Sequence, residues 1–253
     1  MRLDLALVER GLVRSRNQAA RLIESGHVLV NGKQATKSSA ETGPSDKLEV
    51  SQKGYVARSA HKLLHALDVF RISVPSKCLD VGASTGGFTQ VLLERGAEKV
   101  IALDVGSDQL AQEIREDHRV VELSGINLRD IKVEELSIPA NQLQLVVVDL
   151  SFISLRIVAK DLLRCGPFAE FVVLVKPQFE VQKIDLNRQG VVVNEERRIQ
   201  ALRETLTTLV EAGFTLKGLT TSPITGSAGN TEYLAHLEPG QAMDIEPFIA
   251  RLA

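Results

Sequence analysis

Tryptophan is absent from this chain and aromatic residues make up only 4 % of it, so few rings are available to stack on a base or a ligand. Phe88, Phe152, Phe179 and Tyr233 are the candidates, and core packing is the simpler role for most of them. Cysteine is nearly absent too. Cys78 precedes an apolar strand and Cys165 falls at a helix end, which excludes a disulfide framework and a cysteine-rich zinc site. No apolar run approaches the roughly 18 to 20 residues needed to cross a bilayer. Met1-Arg2-Leu3-Asp4 leads into further charges rather than the apolar segment of a secretory signal, so a cytoplasmic protein is expected.

The chain also lacks a net charge worth the name, −2 overall, but the balance is uneven. Residues 1–60 carry 10 Lys and Arg against 6 Asp and Glu, whereas residues 61–253 carry 20 against 26. A basic front module facing a polyanion and an acidic body with another task fit that asymmetry, with a solvated basic face as the plain alternative.

What is present in strength is a glycine-rich turn. Leu79-Asp80-Val81 is an apolar strand that runs into Gly82-Ala83-Ser84-Thr85-Gly86-Gly87-Phe88 and then into a helical pattern. Glycines there let the backbone turn tightly and approach a ligand, and Asp104, closing the next apolar strand, stands where an acid can hold a ribose diol. The spacing is not the Gly-x-Gly-x-x-Gly that seats a pyrophosphate, so S-adenosylmethionine (SAM) fits better than NAD. Gly82, Ala83, Ser84, Gly86, Gly87 and Phe88 are expected at the methionine end of the cofactor, Asp104 at its ribose, and Asn127 near its adenine.

The front module reads as two helices and a small sheet. Leu3, Leu7, Val8 and Leu12 recur at helical spacing, and Ser15-Arg16-Asn17-Gln18 makes a capping box for a second helix that Gly26 stops. His27 to Val30 reads as a strand, Asn31-Gly32 as a hairpin turn and Lys47 to Val50 as a further strand. Arg2, Arg10, Arg14, Arg16, Arg21 and Lys33 gather on this unit as candidate phosphate contacts. The expected division is a module over 1–52, a linker over 53–58 and a body over 59–253.

In the body, β-branched runs at Val100–Leu103, Val120–Leu123, Leu145–Val148 and Phe171–Val175 alternate with helix-length connections. Phe214 to Thr220 and Tyr233 to Leu237 should add two final strands after a helix over 195–212. The fold class is therefore α/β, a doubly wound, Rossmann-like parallel sheet with a small α+β module in front. Ligands of such sheets collect at the carboxyl ends of the strands. Asp149 and Lys176 end two strands, Lys62 precedes the first, and Glu232 follows the loop Gly226 to Asn230. Taken singly, Lys62 and Glu232 read as solvated charges and Asp149 as a capping residue; taken together they can converge.

Arg2-Leu-Asp-x-x-Leu-Val-x-Arg-Gly-Leu with Gly26-x-Val-x-Val-Asn-Gly resembles the S-four-type RNA-binding domain over about residues 1 to 50. Arg58-Ser-Ala-His-Lys62, Asp80-Val-Gly-Ala-Ser-Thr-Gly-Gly-Phe88, Asp149-Leu-Ser-Phe-Ile-Ser154, Lys176-Pro-Gln-Phe-Glu180 and Gly229-Asn-Thr-Glu-Tyr233 resemble the TlyA (hemolysin A) family over nearly the whole chain. That resemblance implies an FtsJ-like methyltransferase domain behind an RNA-binding domain. It also implies SAM-dependent 2′-O-methylation of ribosomal RNA, free or in ribosomal subunits, by a tetrad that falls here on Lys62, Asp149, Lys176 and Glu232, with no metal. One departure is visible: Ala57-Arg58-Ser59-Ala60 stands where the family has Ser-Arg-Gly-Ala.

The tetrad makes chemical sense from its side chains. A ribose hydroxyl is a weak nucleophile and must lose its proton as it attacks a sulfonium methyl in line. Lys176, set near a second ammonium, is the expected base; Lys62 would hold the hydroxyl, and the two carboxylates would orient the lysines. Other methyl transfers lack their parts: no cysteine is placed for cytosine C5 chemistry, and Asp149-Leu-Ser-Phe lacks the Pro-Pro-aromatic of amine methylation. A membrane-lytic role has no segment to support it. The alternative left open is a noncatalytic RNA-binding protein that keeps SAM as a structural ligand.

Overall fold

A computed structural model describes residues 1–24, 27–50 and 54–252. It divides into two compact units, Met1–Tyr55 and Val56–Ala253. Val56, Ala57 and Arg58, expected in the linker, thus belong to the larger unit; Gly26 and Lys53 lie outside the described residues.

In the smaller unit α1 (Leu3–Glu9) and α2 (Arg16–Glu24) pack against a sheet of β1 (Val28–Val30), β2 (Lys33–Gln34) and β3 (Leu48–Val50) in the order β2-β1-β3. The apolar faces legible in the sequence form its core: Leu3, Ala6, Leu7, Ala19, Leu22, Ile23, Val28 and Leu48. Ser15 Oγ accepts from the Gln18 amide at 3.2 Å while the Gln18 side chain turns back to the Arg14 amide at 2.8 Å, so the capping box closes one residue early. Asn31 and Gly32 both have positive φ, 51° and 75°, and the pairing of Val30 with Lys33 leaves a two-residue loop of the primed type that matches strand twist. α1 stops at Glu9, short of the expected length, because Gly11 takes a φ of 66°.

The larger unit is a seven-stranded sheet flanked by helices. Its elements are α3 (Ala60–Phe70), β4 (Lys77–Val81), α4 (Gly87–Glu94), β5 (Lys99–Asp104), α5 (Gln112–Arg115), β6 (Val120–Ser124), β7 (Leu145–Val148), α6 (Leu155–Cys165), β8 (Glu170–Val175), α7 (Glu195–Glu211), β9 (Phe214–Thr221), β10 (Tyr233–Pro239) and α8 (Glu246–Ile249). The strand order is β6-β5-β4-β7-β8-β10-β9. β4 to β8 are parallel, while β10 lies antiparallel between β8 and β9. A parallel neighbour needs a crossover, usually a helix, and none stands between β9 and β10, so the last strand reverses.

Alternation along the strands divides the core. Leu79, Val81, Ile101, Leu103, Val146 and Val148 face α6, α7 and α8, whose Leu155, Leu162, Leu202, Leu206 and Ile249 fill that side. Ala102 meets Leu110 and Ile114 on the other. Chain order reverses between β4 and β7, which places a crevice at the carboxyl ends of β4, β5 and β7.

Candidate active site

The crevice begins where β4 turns into α4. Gly82 and Ala83 donate backbone N–H groups to the Leu103 carbonyl at 2.8 and 3.1 Å, and Asp149 N–H reaches the Val81 carbonyl at 2.9 Å, so the ends of three strands are stitched together. Gly82 has a φ of 86°, and a Cβ there would stand 2.6 Å from the Asp149 carbonyl oxygen; no side chain fits that approach. Ser84 accepts a left-handed φ of 47° and donates its N–H to Asp104 at 2.8 Å. The second Asp104 oxygen takes the Gly106 N–H at 2.7 Å, which fixes the carboxylate plane at the mouth of β5.

Two adjoining cavities open here. One, about 480 Å³, is lined by Gly82, Ser84, Asp104, Gln109, Ile126, Asn127, Leu150 and Phe152 among others. The other, about 210 Å³, is lined by Ala57, Arg58, Ser59, Ala83, Thr85, Phe88 and Lys176, and both share Gly82, Ser84, Asp149 and Ser151. An elongated ligand can therefore lie along the glycine turn with one end at Lys176 and Asp149. Gly86 and Gly87, expected on the cofactor, line neither cavity. A Cβ on Gly86 would meet Ile114 and Leu110, and one on Gly87 would meet Ser59 Oγ at 2.4 Å, so these glycines let α5 and the start of α3 approach. Ser59 itself sits at φ −57° and ψ −29°, ordinary helical backbone, so the departure from glycine there imposes no strain.

The four charged residues form two ion pairs. Lys176 Nζ lies 2.6 Å from Asp149 Oδ1 and also donates to Ser151 Oγ at 2.8 Å. Lys62 Nζ, from the first turns of α3, lies 2.5 Å from Glu232 Oε2. The reading of Lys62 and Glu232 as solvated charges is overturned: their side chains are only 6 % and 3 % exposed. Asp149 does not cap α6 either; Ser154 does, accepting from the Arg156 N–H at 3.2 Å. Each lysine thus has one carboxylate beside it, as expected of groups that orient them.

The segment after β8 fastens the site together. Gln178 Nε2 donates to Glu232 Oε1 at 3.0 Å. Phe179 packs against Phe152 at 5.2 Å between centroids, with Lys176 Nζ 5.8 Å from its ring centre. Glu180, buried, accepts from Ser154 Oγ and from the Leu155 N–H at 2.7 Å. The loop before Glu232 is held by Asn230, whose amide bonds the Val192 N–H and the Gly190 carbonyl. Ser151, Gln178, Glu180 and Asn230 were each inside a quoted motif, yet no spacing rule singles them out. Phe152 stands 92 % exposed with a φ of 65°, unlike Phe88 and Tyr233, which are buried.

Burial pushes the Cys78 thiol up to about 12 and Cys165 up to about 11, so neither supplies a thiolate near neutral pH. Asp80 is fully buried beneath the turn. Burial raises it to about 7, against the hydroxyl of Thr89, which donates to it at 2.7 Å, and the charges of Asp149 and Asp104 push the same way as burial.

In the smaller unit the candidate phosphate contacts are partly engaged. Asp4, buried, takes bidentate bonds from Arg2 and a fork from Arg16, which hold its carboxyl below the usual range. Both arginine side chains are about half exposed. Arg10 bonds the carbonyls of Gly43, Pro44 and Asp46; Arg14, Arg21 and Lys33 complete the set on this unit.

Comparison with known proteins places both units. Residues 1–48 match the S4 domain and residues 55–238 the FtsJ-like methyltransferase. The chain is 44 % identical over 241 residues to the 16S/23S rRNA (cytidine-2′-O)-methyltransferase TlyA of Mycobacterium tuberculosis, covering 93 % of this chain and 89 % of that one. It is 41 % identical over 241 residues to Hemolysin A of Brachyspira hyodysenteriae, covering 93 % and 99 %. A solved structure, described as that of a proposed hemolysin from Streptococcus thermophilus, superposes with a TM-score of 0.71 at 34 % identity, covering 99 % and 94 %. With an S4 domain, an FtsJ-like catalytic domain and this identity across nearly its whole length, the chain belongs to the TlyA family of methyltransferases.

Proposed function

We propose that the protein transfers a methyl group from SAM to a ribose 2′-hydroxyl of ribosomal RNA. The observation that carries the reading is the pair of shielded ion pairs at the strand ends, one of them lining the cavity that joins the glycine-turn crevice. Burying two charges costs more than burying apolar groups of the same size, and removing one partner of such a pair costs about 3 to 5 kcal/mol. An arrangement that expensive is expected where its charges have work to do. The M. tuberculosis relative, named for 2′-O-methylation of cytidine in 16S and 23S rRNA, supplies the substrate class.

The residues present suit SAM. Gly82 lets the turn close on the Asp149 backbone and borders both cavities, Ser84 and Ala83 border the methionine end, Asp104 offers carboxylate oxygens to a ribose diol, and Asn127 with Ile126 and Leu150 borders the far end of the crevice. When bound, SAM supplies an electrophilic methyl on sulfonium. The protein's own part is to present the hydroxyl and take its proton. Lys176, on the smaller cavity, is placed to take the proton, with Asp149 and Ser151 fixing its direction. Lys62 donates to the ribose oxygen as negative charge grows, held by Glu232. Phe152 offers an exposed ring face to the target base, and Arg2, Arg10, Arg14, Arg16, Arg21 and Lys33 grip the phosphates of structured RNA.

Incubation with labelled SAM and either naked ribosomal RNA or intact subunits, followed by mapping of alkali-resistant linkages, tests the reading. Transfer to a ribose that disappears in Lys62→Ala and Lys176→Ala supports it. RNA binding without transfer on every substrate refutes it.

A further inference from the structure

Glu232 is held at three points. Lys62 takes Oε2, Gln178 Nε2 donates to Oε1 at 3.0 Å, and a Cβ on Gly226 would stand 2.6 Å from the same Oε1, so the carboxylate is boxed on the side away from the lysine. Gln178 sits one residue beyond Pro177, on the short turn that begins at Lys176. It therefore ties the Lys62–Glu232 pair to the chain segment that carries Lys176. Its own Oε1 is buried with no partner among the described residues. A buried carbonyl without a donor is costly, so what the residue gives in return is the bond from its nitrogen to Glu232.

We infer that Gln178 is a positioning residue for methyl transfer: its amide holds Glu232 in register with Lys62 and couples the two ion pairs into one rigid set. The inference rests on the tetrad reading and adds a residue that acts through Glu232 rather than on the substrate. A neutral amide is the fitting group. It donates to the carboxylate without adding charge, whereas an acid in its place would compete with Glu232 for a proton and for Lys62. The charged groups bonded to it or flanking it on its own turn are Glu232, paired with Lys62, and Lys176 and Glu180, paired with Asp149 and Arg156.

The full-length chain carrying Gln178→Glu, nearly identical in shape, is compared with Gln178→Ala and wild type in two measurements. In the first, methyl transfer to the RNA substrate is followed against pH. Gln178→Glu is expected to lose at least tenfold in kcat at pH 7 with KM for SAM unchanged, and the rising limb of its pH profile to move up by about one unit. Gln178→Ala loses severalfold in kcat with the limb unmoved. In the second, thermal melting of the ligand-free proteins is compared at pH 5 and pH 8. A carboxyl pair sharing a proton has a raised folded-state pKa, so the Gln178→Glu deficit in Tm grows as pH rises, while the Gln178→Ala deficit stays constant. Wild-type kcat and pH profile in Gln178→Glu, with Lys62→Ala inactive, would overturn the role of Gln178 and leave the tetrad standing. Transfer that persists in Lys62→Ala would overturn the tetrad, and the role of Gln178 with it.

Discussion

The two units use the same kinds of charge in opposite ways. In the smaller one, two guanidiniums share the single buried carboxylate of Asp4 and stay about half exposed, which leaves an outward surplus of positive charge. In the larger one, Lys62 and Lys176 each have a carboxylate of their own, and the Lys62–Glu232 pair is shut away from water. Surplus charge on half-solvated forks attracts a polyanion without fixing one atom of it. Neutral, desolvated pairs attract little from a distance but hold their atoms in place. The first arrangement suits capture of RNA and the second suits chemistry at one hydroxyl.

The sharpest way to break that contrast is to remove half of a buried pair. Lys62→Ala should cost about 3 to 5 kcal/mol of stability in the larger unit, because Glu232 is left uncompensated. It should also reduce methyl transfer about 10²–10³-fold, the usual loss of one positioned donor. The double change Lys62→Met with Glu232→Leu should restore the stability and not the activity. A stable, active double variant would show that the pair is scaffold.

A smaller step separates charge from proton transfer. Arginine keeps an ion pair with a carboxylate but does not give up its proton in a protein. Lys176→Arg should therefore bind SAM within a few-fold of wild type, measured by calorimetry, and lose about 10²–10⁴ in kcat, the range of general base catalysis. Equal activity across the pH profile would remove Lys176 as the base.

Those residues were legible in the sequence to different depths. Asp149 and Lys176 follow β-branched runs whose ends a parallel sheet sends to one edge, so their placement came from local pattern. Lys62 and Glu232 are 170 positions apart, and each buries only because the other is there; no window of sequence contains that fact. The glycine turn was legible as a turn, yet Gly86 and Gly87 serve approach between helices, since the same backbone freedom admits a ligand or a neighbouring element. The strands emerged nearly at their bounds, but the expected parallel sheet carries an antiparallel β10, because the connection before it has no helix. Gln178, Glu180 and Ser151 act through side-chain contacts that only the folded turn creates.

The surplus of the smaller unit predicts a graded response. Each of Arg2→Gln and Arg16→Gln should weaken RNA binding several-fold at moderate salt and lower the slope of log K against log salt by about one. Asp4→Asn should leave that slope near the wild-type value, because the carboxylate faces the arginines rather than the RNA. A loss confined to particular RNA sequences, with the slope unchanged, would mean that these arginines read bases.

Asp80 sharpens the comparison from the other side, being a buried carboxyl that takes a threonine hydroxyl and feels the charge of two other acids. Burial raises it to about 7 from an ordinary value near 3.8. The folded protein therefore holds this proton more tightly than the unfolded chain. Stability from this group is complete at low pH and declines as pH climbs from about 4 to about 7, since the ion must then be accommodated without a partner. Asn matches the protonated acid in shape and keeps an oxygen for the Thr89 hydroxyl. Asp80→Asn should gain on wild type as pH rises, by roughly 2 to 3 kcal/mol more at pH 8 than at pH 5 in the ligand-free protein, read as the shift in denaturation midpoint. A gain that is the same at both values would mean that the carboxyl is ionised throughout, with a donor near its free oxygen doing for Asp80 what Lys62 does for Glu232.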